Sequence, residues 1–146
     1  MIRAQCLVHR GYQILMVKHR LESLEWWCLP GGGVELGEAI ADAALRELEE
    51  ECCVKGRLVR QVGHLVDGSG QESVTFLVDI GNQDPHLGGD PEFFHNDQVL
   101  VGINWMTLSE IPERDRAYLW AAGLLSIPEF LDEVSRWSDA LSYPFG

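Results

Sequence analysis

Three glutamates, Glu47, Glu50 and Glu51, lie within one short stretch, and Arg46 is the only cation beside them. At about 100° per residue they share one stripe of a helix, with Glu51 one turn above Glu47. Like charges at that spacing destabilise an isolated helix by roughly 0.2–0.5 kcal/mol per pair. They also sit toward the helix C-terminus, where the macrodipole favours cations. A charge run is most often a solvated face, yet a helix chosen for stability would carry lysines there. Carboxylates crowded on a rigid backbone are what hard, oxygen-seeking cations such as Mg2+ or Mn2+ require. Helix physics alone leaves these two readings evenly balanced.

Those side chains must be held by the elements around them. The periodicity predicts a helix over Glu38–Cys52, with Ala41, Ala44, Leu45, Leu48 and Cys52 facing the core and Asp42 and Glu49 facing solvent. Before it, Pro30-Gly31-Gly32-Gly33 breaks regular structure and reads as a loop whose glycines permit close backbone approach. Apolar runs over 2–9 and 12–18, separated by Arg10-Gly11, suggest a hairpin. A polar loop over 21–25 then leads to a short strand, Trp26-Trp27-Cys28-Leu29. Further strands are expected over 57–66, 72–80 and 99–106, with a turn at Asp67-Gly68-Ser69-Gly70 and a loop from Gly81 to Pro91. From Ser109 onward the chain reads as helical, broken at Pro112 and Pro128. The fold class is α+β, as a single domain over residues 1–146.

Bulk properties narrow the chemistry. With 46% hydrophobic and 23% charged residues, the 146-residue chain has the composition of an ordinary globular domain with a real core. No apolar run approaches the roughly 20 residues of a membrane helix, and no signal-peptide pattern opens the chain, so no membrane partner and a cytoplasmic location are expected. The formal charge of −12 argues against non-specific nucleic-acid binding. An acidic protein that acts on a phosphorylated small molecule needs divalent cations, a few arginines, or both. The four cysteines, Cys6, Cys28, Cys52 and Cys53, have neither zinc-ligand nor redox-motif spacing and read as reduced thiols. His64, His86 and His95 have no ligand-like spacing either.

The segment from Gly32 to Val54 is more specific than any of this. Gly32, five residues, Glu38, seven residues and then Arg46-Glu47-Leu48-Glu49-Glu50-Glu51-Cys52-Cys53-Val54 resembles the Nudix box of the MutT-like Nudix hydrolases. Only Cys53 departs from the pattern, standing where that family has glycine. The lead-in Trp27-Cys28-Leu29-Pro30-Gly31-Gly32-Gly33-Val34-Glu35 is also similar to the family's, as is Trp105 followed by Leu108-Ser109-Glu110-Ile111.

The resemblance implies a Nudix-type α/β/α sandwich with a mixed β-sheet and a loop–helix–loop catalytic motif over residues 32–54. It implies a pyrophosphohydrolase that needs Mg2+ or Mn2+ and cuts a nucleoside diphosphate linked to another moiety. Nucleoside triphosphates, sugar nucleotides and ADP-ribose-type compounds are the candidate substrates. A catalytically silent nucleotide-binding or regulatory module is the alternative. Carried over by position, Glu50, Glu51 and the Gly31 carbonyl are metal ligands, and Glu47 is a ligand or the base that activates water. Arg46 organises the carboxylates, and Glu38 braces the glycine loop. By analogy Arg20 contacts phosphate, while Gly32 and Gly33 approach substrate. Of the consecutive Trp26 and Trp27, one is expected in the core, leaving the other free to wall a base. An acid from outside the box is expected at Asp97, with Glu92 as second choice. Ser69 and Gly70 stand where ADP-ribose and dinucleoside-polyphosphate signatures would fall. The implied partner is a small nucleotide, and the reading leaves room for a homodimer. Cys53 is expected to end the helix in the left-handed conformation.

Overall fold

The computed structural model describes residues 2–88 and 99–137. Two sheets lie between helices. The first has the order β5-β1-β7-β6, built from β1 (Ile2–Leu7), β5 (Gly31–Gly33), β6 (Arg57–Val66) and β7 (Glu72–Asp79). It is the expected mixed sheet, since β1 runs parallel to β7 and antiparallel to β5. The second is antiparallel: β3 (Gln13–Leu21) pairs with β2 (His9–Arg10), β4 (Leu24–Cys28) and β8 (Val99–Met106).

The predicted strand over 2–9 is therefore two strands, because the chain leaves one sheet after Leu7 and enters the other at His9. Residues 21–25 are not a polar loop. Leu21 pairs with Leu24 across a tight reversal at Glu22, whose φ of 56° supplies the positive dihedral such a turn needs. The glycine run is also more regular than expected. Gly31–Gly33 forms the edge strand β5, paired with Arg3, Ala4 and Gln5. A Cβ on Gly31 would lie 2.4 Å from the Ala4 carbonyl oxygen, so only glycine permits this approach.

Helix α1 (Ile40–Cys52) starts two residues later than predicted. The preceding turn explains this. The Glu38 amide donates to the Glu35 carbonyl and the Glu38 carboxylate accepts from the Glu35 amide, fixing 35–38 as a turn. The buried face of α1 comprises Ala43, Ala44, Leu48 and Cys52, while Ala41 and Leu45 are half-buried. This face packs with Ala4, Cys6, Leu15, Val17, Val74 and Phe76 in one core. A second core lies on the other side of the strands, where α2 (Glu113–Ala121), a 3-10 turn (Leu124–Ser126) and α3 (Pro128–Ser135) cover Leu7, Ile14, Met16 and Leu29.

The C-terminal carbonyls of α1 are closed by the chain itself. Cys53 stands at φ 59°, ψ 34°, and its amide donates to the Glu49 carbonyl at 3.0 Å. The loop after β7 takes two more, with the His86 amide on Cys52 and the Gly88 amide on Glu51.

Candidate active site

Helix α1 and strand β5 bring the box residues together around Arg46. Its guanidinium grips the Glu38 carboxylate through Nε at 2.8 Å and a second nitrogen at 3.0 Å, a paired geometry suited to carboxylate. The same guanidinium donates to Glu47 Oε1 at 2.9 Å, to the Gly33 carbonyl at 3.1 Å and to Glu50 at 3.3 Å. Arg46 thus ties the helix to the glycine strand and to the turn before it. These bonds hold the Glu38 carboxyl down at about 2, the Arg46 contact first and the Glu35 amide second.

Glu51 faces the other way along β5 and accepts the Gly31 amide at 3.0 Å. Burial pushes its carboxyl up to about 8, against the pull of Arg3 and of that amide, and Glu47 and Glu50 add like-charge repulsion. Burial raises Glu47 as well, with the Arg46 hydrogen bond opposing it. Gly32 lies directly over this group: a Cβ there would be 2.5 Å from the Glu47 carboxylate.

The donor set is entirely hard oxygen, and the missing side chain at Gly32 leaves a cradle at the Glu47 carboxylate, so these residues suit a small divalent cation. The carboxylates nevertheless point to different partners, Glu47 and Glu50 to Arg46 and Glu51 to Gly31. Among the described residues no three His, Cys, Asp or Glu side chains are grouped to hold a metal ion.

Beside this cluster is a cavity of about 310 Å3 lined by Arg3, His19, Trp26, Trp27, Cys28, Arg114, Asp115 and Tyr118. Both tryptophans reach it, and each is half-buried. Trp26 packs toward the α1 core and stacks on His19, with ring centroids 5.7 Å apart and planes 14° from parallel. Trp27 packs toward the second core. Burial first, and Arg3 second, push the His19 imidazole down to about 4, so it is neutral at pH 7. The Tyr118 hydroxyl accepts the Leu29 amide at 2.6 Å.

Arg20 is placed elsewhere than the cluster. It is exposed near the end of β3, 3.9 Å from Glu25, and does not line the cavity. Glu92, His95 and Asp97 lie outside the described residues. Of the other histidines, His64 is exposed against Glu72, and His86 is exposed with its amide capping α1.

Sequence reasoning missed Arg3 and Asp115. Arg3 links the two regions, lining the cavity while acting electrostatically on Glu47 and Glu51. Its own hydrogen bonds are long, 3.4 Å to Gln5 and 3.3 Å to the Leu29 carbonyl. One signal was available: Arg3 and Gln5 alternate with apolar residues in β1 and so share a face. Nothing local marks Asp115, which reaches the site only because α2 packs on β4.

The family model described as NUDIX domain matches residues 2–126. Over 64 residues the chain is 44% identical to diphosphoinositol polyphosphate phosphohydrolase 2 of Rattus norvegicus, covering 42% of this chain and 35% of that protein. The chain thus spans about a third of that relative's length. Among solved structures, an ADP-ribose pyrophosphatase from Streptococcus suis superposes with a TM-score of 0.62 at 19% identity, covering 95% of this chain and 93% of that one. A NUDIX hydrolase from Nitrosomonas europaea gives 0.65 at 18% identity, covering 97% and 98%. At these identities the two structures speak to the fold.

Proposed function

The chain belongs to the NUDIX family, and from that premise we propose that it is a metal-dependent pyrophosphohydrolase acting on a nucleoside diphosphate linked to another group. The observation that carries this reading is the Arg46 network, which holds Glu38, Glu47 and Glu50 against the glycine strand. A diphosphate is what the names of the rat and Streptococcus suis proteins have in common.

Glu50, Glu51 and the Gly31 carbonyl would hold the cation, with Glu47 either a further ligand or the base that takes a proton from water. When bound, Mg2+ or Mn2+ neutralises diphosphate charge and lowers the pKa of water. The protein supplies orientation. Arg46 fixes Glu47 and Glu50, Glu38 anchors Arg46, and Gly32 leaves room over the Glu47 carboxylate.

The test is hydrolysis of a panel of nucleoside triphosphates, sugar nucleotides and ADP-ribose with Mg2+, Mn2+ or Ca2+. Turnover should require Mg2+ or Mn2+, with Ca2+ a poor substitute because it prefers longer bonds and looser coordination. Glu50→Gln and Glu51→Gln should each lower kcat by several orders of magnitude with the fold intact. Near-normal turnover in both variants would refute the metal assignment. Full nucleotide binding with no turnover under any metal would support the silent-module alternative.

A further inference from the structure

We propose that Gln83 is a positioning residue: it pins the segment 80–88 across the C-terminus of α1 and so holds Glu50 and Glu51 in place before a cation arrives. What those two glutamates bind rests on the metal reading above. That they are held from this side rests on the geometry of the segment itself.

The last turn of α1 is the part of the helix least able to hold itself. Its carbonyls have no partners further along the helix. Glu49, Glu50 and Glu51 follow one another there, and no basic residue in the last turn offsets the negative end of the macrodipole. Glu47 and Glu51, one turn apart, add like-charge repulsion. Cys53 closes the Glu49 carbonyl, but from the left-handed conformation that favours glycine. A turn left to these forces would fray, and a cation would then have to order its own ligands at the expense of affinity.

The support comes from outside the helix. The His86 amide donates to the Cys52 carbonyl at 2.9 Å, and the Gly88 amide to the Glu51 carbonyl at 2.7 Å. Gly88 lies so close that a Cβ on it would be 1.8 Å from the Glu50 carbonyl oxygen. The segment thus touches the backbone of both ligand residues. Gln83 fixes where the segment lies. Its Nε2 donates to the Lys55 carbonyl at 2.7 Å and to the Ile80 carbonyl at 2.8 Å, while its Oε1 accepts the Lys55 amide at 2.9 Å. The side-chain amide therefore pairs with both backbone groups of Lys55, as a neighbouring strand would. On the far side Arg10 of β2 donates to the Gly81 and Gln83 carbonyls and lies 4.6 Å over the Trp105 ring of β8. None of these bonds involves a box carboxylate, so their effect on Glu50 and Glu51 passes through the backbone.

Gln83 is exposed, so Gln83→Met, which keeps its length and removes its polar atoms, should fold. Mn2+ binding to the full chain would be read from the free-ion EPR signal, with no substrate present and well below the melting temperature. Gln83→Met should bind Mn2+ about 10- to 100-fold more weakly than wild type, the usual effect of removing support from metal ligands. In turnover, the Mn2+ concentration needed for half activity should rise by the same factor while kcat at saturating Mn2+ stays close to wild type. Gly88→Ala, which forces the segment off the Glu50 carbonyl, should behave alike. If it does not fold, Gln83→Met decides alone. Val134→Ala, in the core beneath α3, should lower the melting temperature without changing Mn2+ affinity. Unchanged affinity in Gln83→Met, or an equal loss in Val134→Ala, would overturn the proposal. Hydrogen exchange on the metal-free proteins separates it from the metal reading. The Cys52 and Cys53 amides should exchange roughly 10-fold faster in Gln83→Met, as expected for losing about one net hydrogen bond's worth of support, with Val74 unchanged. Equal exchange would overturn the positioning role, whereas a wild type that binds no Mn2+ but shows this difference would overturn only the metal reading.

Discussion

At Cys53 a side chain occupies a backbone conformation that normally falls to glycine, φ 59° and ψ 34°. A non-glycine residue there carries strain of roughly 1–2 kcal/mol. Cys53→Gly should therefore stabilise the protein by up to about that amount with activity retained, as read by chemical denaturation. A loss of stability would remove the strained-cap explanation. His19 stores a different kind of cost. Its folded pKa is about 4, below the ordinary value of about 6.5. As pH falls, the unfolded chain therefore takes up the proton first. The His19 contribution is intact above about pH 6.5, is lost progressively down to about pH 4, and amounts to about 3 kcal/mol at roughly 1.4 kcal/mol per unit. Glu51 works oppositely, since its raised pKa favours the fold at low pH and its share is lost as pH rises through about 8. The difference between wild type and His19→Phe isolates the histidine. The gap should grow in favour of the variant from pH 6.5 to 4, and a constant gap would rule out the buried neutral ring. The glutamates were legible in the sequence because their spacing within one helix fixes their common face. Arg3 and Asp115 were not, because their meeting depends on β1 lying beside β5 and on α2 packing against β4.

Among the elements, the glycine strand separates stability from chemistry. Gly31 faces backbone: an added Cβ would meet the Ala4 carbonyl oxygen at 2.4 Å, and neither strand can move without breaking its pairing. Gly31→Ala should cost about 1–3 kcal/mol or more of stability. Gly32 faces the far end of a flexible side chain, the Glu47 carboxylate at 2.5 Å. That carboxylate can swing away, so Gly32→Ala should fold nearly as well as wild type while losing on the order of 100-fold in kcat, through displacement of a positioned group. Thermal melts and kinetics on the two variants would show whether the effects divide this way. If Gly32→Ala kept full kcat, Glu47 would not be held where the reaction needs it. The sequence signalled a break at Pro30 and glycines built for close approach, but not a strand. Glycine has little strand preference of its own, and the order of β5 comes from β1, some twenty-eight residues earlier.

Taken whole, the molecule buries three of its four thiols in one core and leaves the fourth at the surface. Cys6, Cys28 and Cys52 are buried, and burial pushes Cys6 and Cys28 up to about 12 and Cys52 higher still, whereas Cys53 is exposed. A thiol reagent should label one cysteine per native chain and four after denaturation. Rapid labelling of more than one would mean that the core opens readily. The α+β class and most strands were readable from apolar periodicity. The division into two sheets was not, because nothing near Val8 announces that the chain changes partners there.

That change of partners at Val8 also bears on the order in which the protein can assemble. β1 is completed only by docking against β7, so Ile2 must find Glu72, whereas β6 meets β7 through a short reversal. Closing the longer loop has the greater entropic cost, and distant pairings form slowly. The β6–β7 hairpin is thus placed to form before β1, and β5 has no edge to join until β1 arrives. The glycine strand is therefore among the last pieces seated, and the Glu47 site forms at the end of folding. Pulsed hydrogen exchange should find the β6–β7 amides protected before those of Ala4 and Gly32, and the reverse order would place β1 in the folding nucleus.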